Sequence, residues 1–298
     1  MSELFGVKNS YYLGLYQQAI TEALSANVSA ASRVECDFFR FRACIAQGQG
    51  RLVLDEVGND SPLALQAAKL LATYTAGSRE TKEMCVMQLK EWLSSPSALN
   101  DALLIQTAAV VFAFEGDHKE VLKYAHQSTL LDIMYIVVHT YISMNRLDLA
   151  RKQAALMSQQ DDDATLTQLA AAHVGMHEGG DKCQEALNTF TDLGEKYNMS
   201  LLLTNGIAMC HMHLGQFDEA ERVLQDGLTK NATDVDTLAN MVVCMTHLGK
   251  PPEQVARYTN QLRAVCPTHP WVVRYNELDA SFDRCAAQFN TAVRAEVA

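Results

Sequence analysis

Two histidines, His173 and His177, stand four residues apart. On a helix that spacing puts both imidazoles on one face, an arrangement that metal sites use. A zinc hydrolase built this way needs a glutamate beside the first histidine as its base. Val174 stands there instead, and Gly175 weakens the helix. The pair reads as two histidines on a helix surface or in its packing. Cys210-His211-Met212-His213 is a run of metal-ligating types, but successive helical side chains point about 100° apart and cannot converge. Cys244 and His247 share a helical face with no third ligand in reach by sequence. Gly48-Gln49-Gly50 lacks the third glycine and the strand of a dinucleotide loop. Gly249-Lys250-Pro251 lacks the upstream glycine and the Ser/Thr of a phosphate loop. Asp161-Asp162-Asp163 precedes Ala164-Thr165-Leu166 and reads as an acidic cap on a helix N-terminus. No residue is assigned as catalytic, cofactor-binding or metal-binding, and the chain is not expected to be an enzyme.

The elements that carry these residues repeat. Positions 213–220 read His-Leu-Gly-Gln-Phe-Asp-Glu-Ala and positions 247–254 read His-Leu-Gly-Lys-Pro-Pro-Glu-Gln. Gly215 and Gly249 are 34 residues apart, the period of the tetratricopeptide repeat, a helix–turn–helix unit. In such a unit a small residue on each helix marks the crossing. The clearest unit, 201–234, has Ala208 and Ala220 as the small pair, Phe217 after the turn glycine, and Leu224 and Leu228 on the far side. The next has Val242, Gly249 and Pro251-Pro252, then Ala256 with one residue inserted, and ends at Pro267. Upstream, Asn145–Ala150 matches the same turn, with Val138 on helix 131–143 facing Ala150. Gly116–Val121 follows helix 103–114. From Val121 to Ala150 is 29 residues and from Ala150 to Ala186 is 36, so one unit is shortened and one enlarged. The helix register within 164–177 stays open.

Nearer the start, Gly14–Ala19 reads as a turn and second helix whose first helix is truncated. Helices are expected over 36–47, 51–57, 62–76 and 78–93, with breaks at 48–50 and 94–97. Pro270–Phe289, apolar at helical spacing through Trp271, Tyr275, Leu278, Phe282 and Phe289, is expected to cap the stack, with 290–298 as a frayed tail. The expected architecture is a single all-α, right-handed tetratricopeptide-like solenoid over 1–298. Its repeats are irregular to about residue 100 and better phased over 101–268.

Bulk properties narrow the partners. With 48% apolar and 20% charged residues the chain has the composition of a folded protein. Its net charge of −11 disfavours nucleic acid and anionic lipid. The start, Met1–Lys8, has no apolar run with a cleavage site, so no secretory leader is expected. The most apolar stretch, 102–114, is too short to span a bilayer. Eight cysteines, none within a Cys-x-x-Cys motif, read as buried thiols of a reducing compartment.

A stack of helix pairs presents the outer side of each first helix as one concave surface. The expected lining is Gln106, Val110 and Phe114; Asp132, Tyr135, His139 and Ile142; Asn205, Met209 and Met212; and Val243 and His247. No Lys or Arg occurs among them, so a clamp for an acidic peptide is a poor fit and an apolar, largely uncharged tenant a better one. The alternative is that these side chains pack against the chain's own N-terminal helices.

The opening Leu4–Asn9 with Tyr12–Ile20, the runs Arg146–Lys152, Asp163–Ala170 and Leu201–Gly206, and the segments His247–Glu253 and Phe282–Arg284 keep an order and spacing that resemble the epsilon-subunit family of coatomer. The resemblance runs over residues 4–285, and 75–104 carries little of it. It implies a non-enzymatic subunit of the COPI vesicle coat whose repeats curl around the C-terminal region of the alpha subunit and stabilise it. The coat so formed supports Golgi-to-ER retrograde and intra-Golgi transport. It also implies a cytoplasmic protein, peripheral on Golgi membranes and coated vesicles. Recruitment would come through the coat, with no cofactor and no insertion of its own. The rival expectations are a tetratricopeptide adaptor for another protein client, or an enzyme on a helical scaffold.

Overall fold

A computed structural model describes residues 3–95 and 100–297, with the backbone alone for 290–297. Regular structure among the described residues is helical throughout. The helices are α1 (Phe5–Tyr12), α2 (Tyr16–Ser25), α3 (Ala30–Ala46), α4 (Gly50–Glu56), α5 (Leu63–Ala76), α6 (Arg79–Leu93), α7 (Ala102–Phe114), α8 (His118–Ala125) and α9 (Leu131–Ser143). They continue with α10 (Leu147–Gln160), α11 (Thr165–Glu178), α12 (Gly180–Tyr197), α13 (Leu201–His213), α14 (Phe217–Lys230), α15 (Val235–His247), α16 (Pro252–Val265) and α17 (Pro270–Val297). The backbone divides into two compact units, Met1–Leu203 and Thr204–Ala298. Each is a stack of antiparallel helix pairs, the tetratricopeptide-like solenoid fold.

The pairs form because of their turns. Gly14, Gly48, Gly116, Asn145, Gly215 and Gly249 all have positive φ, between 57° and 77°. Each follows the first helix of a pair. At each, the next amide reaches back to the carbonyl five residues earlier. Examples are Gln216 N to His211 O at 2.8 Å, Arg146 N to Tyr141 O at 2.8 Å and Gln49 N to Cys44 O at 2.8 Å. This left-handed C-terminal cap satisfies carbonyls that the helix end leaves orphaned, and glycine enters it without a Cβ penalty. Gly14 and Gly48 repeat the 34-residue interval of Gly215 and Gly249, so the N-terminal repeats are more regular than their side chains suggest.

Packing follows the small residues at the crossings. Ala208 and Ala220 are fully buried together, with Leu224 and Leu228 in the same cluster. Val138 and Ala150 share another. The open register of α11 is settled by Gly175. A Cβ there would meet the Lys182 carbonyl oxygen at 2.7 Å and the Ala186 methyl at 3.6 Å. Gly175 and Ala186 are therefore the small pair of the α11–α12 crossing. The eight-residue α8 accounts for the shortened unit, and the eighteen-residue α12 for the enlarged one.

Several expectations need correction. α3 begins at Ala30, not Cys36. Its first turns are mostly solvent-facing and lack apolar periodicity, and Arg33–Asp37 at 3.2 Å supports them instead. Asp163 is not a cap: Ala164 holds that position, with no side-chain hydrogen bond. Ala256 is exposed, and Val255, Thr259 and Leu262 face the core instead. α17 caps only through its first turn, where Val272 is buried and Trp271 packs on the core. Beyond it, Tyr275, Leu278, Phe282 and Phe289 are exposed. Its backbone is helical to Val297 rather than frayed from 290, in keeping with the lack of Gly and Pro in 290–297. Six cysteines are buried, Cys266 is half-buried, and Cys285 is exposed. Pro96 and Ser97 of the expected break lie outside the described residues.

Gly175→Ala is expected to destabilise the Met1–Leu203 unit by about 1–3 kcal/mol, because backbone on the opposing helix cannot yield as a flexible side chain can. Ala in place of Gly at an open helix position would instead stabilise by up to about 1 kcal/mol. A thermal melt of the variant reads the sign directly.

Candidate partner-binding site

Within the Met1–Leu203 unit, the outer sides of α7, α9 and α11 are touched by the chain's own first helix. Gln106 on α7 is buried, and its Nε2 donates to the Tyr12 hydroxyl at 2.7 Å. Tyr12 also meets Tyr135 on α9 edge-on, with ring centroids 6.5 Å apart. Lys8 Nζ lies 2.7 Å from Asp132 on α9 and 3.1 Å from Glu35 on α3. Burial works against the Lys8 charge, but the two carboxylates outweigh it and the pKa is raised. Thr165, at the start of α11, donates to Asn9 Oδ1 at 2.5 Å. α1 therefore touches both, with Gln106 buried and Tyr135 half-buried. Sequence reasoning missed Lys8, Asn9 and Tyr12 because their contacts with α7, α9 and α11 span more than 90 residues of chain. The only sign was a polar and aromatic helix too short to stand alone.

Behind Tyr135, an aromatic file runs into the stack. His139 lies 4.6 Å from Tyr135 and 4.7 Å from His173, and His173 lies 5.4 Å from Phe190. His173 Nδ1 is 2.7 Å from the Leu169 carbonyl, and His177 Nδ1 is 2.9 Å from that of His173. Each of these nitrogens carries the hydrogen and donates it. The helical spacing that suggested a metal thus serves backbone bonds. Enclosure by protein lowers the pKa of His139 to about 3, with His173 and His177 adding to it. Enclosure likewise lowers that of His173 to about 4.

The remaining lining residues differ in access. Val110 and Ile142 are half-buried against the core. Phe114 is 66% exposed, with one face stacked on Tyr74 at 6.2 Å. In the Thr204–Ala298 unit, Asn205 is turned into the stack. Its Nδ2 donates to Thr237 Oγ1 at 2.9 Å, and its Oδ1 accepts from Asn240 at 2.9 Å. Asn205 joins α13 to α15. Met209 is half-buried, and Met212 packs on the core with its edge open. His247 stacks flat on Phe217, with centroids 4.7 Å and planes 9° apart. Val243 faces a hollow walled by His247, Lys250, Ala256, Arg263 and Tyr275. Basic groups therefore stand close to this lining, although none belongs to it. Among the described residues, no group of three or more His, Cys, Asp or Glu is placed to hold a metal.

A profile of the coatomer epsilon subunit matches residues 1–290. The chain belongs to the coatomer epsilon subunit family. It is 42% identical over 286 residues to coatomer subunit epsilon-1 of Arabidopsis thaliana, covering 96% of this chain and 97% of the relative. It is 31% identical over 295 residues to coatomer subunit epsilon of Dictyostelium discoideum, covering 96% and 98%. The matched span includes residues 75–104, which carry few of the family-like motifs. A tetratricopeptide repeat protein from Parabacteroides merdae superposes with a TM-score of 0.57 at 12% identity. That match covers 84% of this chain and 93% of that one, a likeness of fold alone.

The imidazole pair sets an acid limit on stability. Both folded pKa values lie below the ordinary value near 6.5. Between about pH 6.5 and pH 4 the unfolded chain therefore binds protons that the native chain refuses. Stability contributed by the neutral pair is full above that window and is lost as pH falls through it. Thermal melts are expected to show Tm falling from pH 7 to pH 5, with a smaller fall in His139→Phe/His173→Phe.

Proposed function

We propose that this chain is a non-enzymatic structural subunit of the COPI coat that binds and stabilises the C-terminal region of the alpha subunit. In that role it supports Golgi-to-ER retrograde and intra-Golgi vesicle transport. The observation that carries the reading is membership of the coatomer epsilon family along nearly the whole chain. The helical-hairpin fold supports it, because stacked repeats offer extended faces to other polypeptides. No helix among the described residues is long and apolar enough to cross a membrane. With a net charge of −11, attachment to Golgi membranes from the cytoplasmic side would come through the rest of the coat.

On this reading, residues already held by other helices are less available to the partner. Tyr135 and Gln106 are engaged by α1, and Asn205 by α15. The accessible apolar groups are Val110, Phe114, Ile142, Met209, Met212 and Val243. On α17, Leu278 and Phe282 are 55% and 71% exposed. Burying one large side chain contributes about 1–3 kcal/mol. Phe114→Ala combined with Met209→Ala is therefore expected to weaken binding to the alpha C-terminal region by about tenfold or more, with little loss of Tm. Tyr135→Ala is expected to lower Tm first. Titration calorimetry at two salt concentrations provides the check. Unchanged affinity in the folded double variant, or binding that collapses with moderate salt, would place the contact elsewhere.

A further inference from the structure

The hollow beside Val243 lies among α15, α16 and α17, inside the Thr204–Ala298 unit, and holds about 610 Å³ of space. That is room for a few side chains of a bound segment. Its floor is apolar: Val242 is buried and Val255 half-buried. One wall is the stacked pair Trp271 and Tyr275, with centroids 5.2 Å apart and planes at 22°. The mouth is open, because Thr246, Ala256, Asn260 and Tyr275 in the lining are exposed. The charges are one-sided. Lys250 and Arg263 line the hollow and no Asp or Glu does, in a chain with 35 acidic residues. The Lys250 ammonium already meets Glu221 at 2.9 Å. Arg263 is half-exposed and pairs with no carboxylate among the described residues. Its guanidinium is held in place all the same: one side rests over the Tyr275 ring, 4.9 Å from the centroid, and NH2 donates to Asn276 Oδ1 at 3.0 Å. Nε is enclosed, so a ligand would meet the terminal nitrogens end-on.

We propose that this hollow receives a segment of the alpha C-terminal region in which an Asp or Glu stands beside a bulky apolar residue. The apolar side chain would seat on Val242, Val255 and the Trp271 ring, and the carboxylate would meet the terminal nitrogens of Arg263. This rests on the reading of the chain as a binder of the alpha subunit. Charge complementarity selects the occupant. The planar guanidinium matches the two coplanar oxygens of a carboxylate, and its position is fixed before anything binds, which lowers the ordering cost of the contact. A phosphate, with up to two charges, would call for a second free cation, and Lys250 is taken by Glu221. The outer sides of the first helices carry no base, so it is α16, a second helix, that supplies the cation.

The test uses the full chain and two variants. Arg263→Met keeps the stem against Tyr275 and removes the charge. Ala256→Phe fills the hollow from an exposed position on α16 without entering the core. Both are expected to melt close to the wild-type temperature, since the hydrogen bond lost with Arg263 is an exposed one. Each is expected to bind the alpha C-terminal region about tenfold or more weakly, with Arg263→Lys falling between Arg263→Met and wild type. Moderate salt is expected to weaken binding little, because the single pair forms inside the hollow. Acidic residues of the alpha region are then neutralised one at a time. The one that meets Arg263 should cost affinity in the wild-type background and nothing further in Arg263→Met. Wild-type affinity in both folded variants overturns the proposal and leaves the alpha-binding reading standing. Loss in Arg263→Met alone overturns the seating in the hollow, and loss in Ala256→Phe alone overturns the carboxylate contact. A wild-type chain that does not bind the alpha region overturns the functional reading itself, and this proposal with it.

Discussion

The close crossing of two helices within each repeat is the constraint on which the rest depends. Where Gly175 faces Ala186, or Ala208 faces Ala220, backbones approach near enough for larger side chains on either side to interlock. A Cβ in the wrong place would lift the pair apart and break contact with the next pair as well. Stability in such a stack is a sum of pairs and their interfaces, so a fault at one crossing is felt by its neighbours. The turn works with the crossing. A left-handed residue and a reach-back hydrogen bond return the chain at an angle that brings the small residues together.

Beyond this apolar frame, polar contacts decide what is free to bind. Asn205, Thr237 and Asn240 tie one helix to the next inside the second unit. In the first, Lys8, Asn9 and Tyr12 fasten α1 to α7, α9 and α11. These bonds consume residues that a view of single helices would present to a partner. What remains accessible is largely apolar and scattered, with a longer exposed run along α17.

Charge shows the same division. At the surface Arg79 pairs with Glu83 and Arg146 with Asp148, and such pairs add little stability. The informative groups are the enclosed ones. His139 and His173 meet enclosure by remaining neutral. Lys8 meets it by holding two carboxylates. Arg42 on α3 lies enclosed over the Tyr11 and Phe38 rings.

Local spacing alone determined the repeat class. The 34-residue interval, the turn glycines and the small pairs at 208/220 and 138/150 are all short-range, and α9, α13 and α15 follow from them. The family was legible for a similar reason, since the order of its motifs survives in one dimension. Tertiary structure decided the rest. Whether Gln106 faces a partner or Tyr12, and whether Asn205 lines a surface or bridges two helices, depends on residues 94 and 32 positions away. Helical periodicity carries no information at that range. The register of α11 was hidden because its small residue is a glycine, read by sequence rules as a weakness of the helix. Only the Lys182 carbonyl, brought to 2.7 Å from the missing Cβ, shows that the close approach requires it.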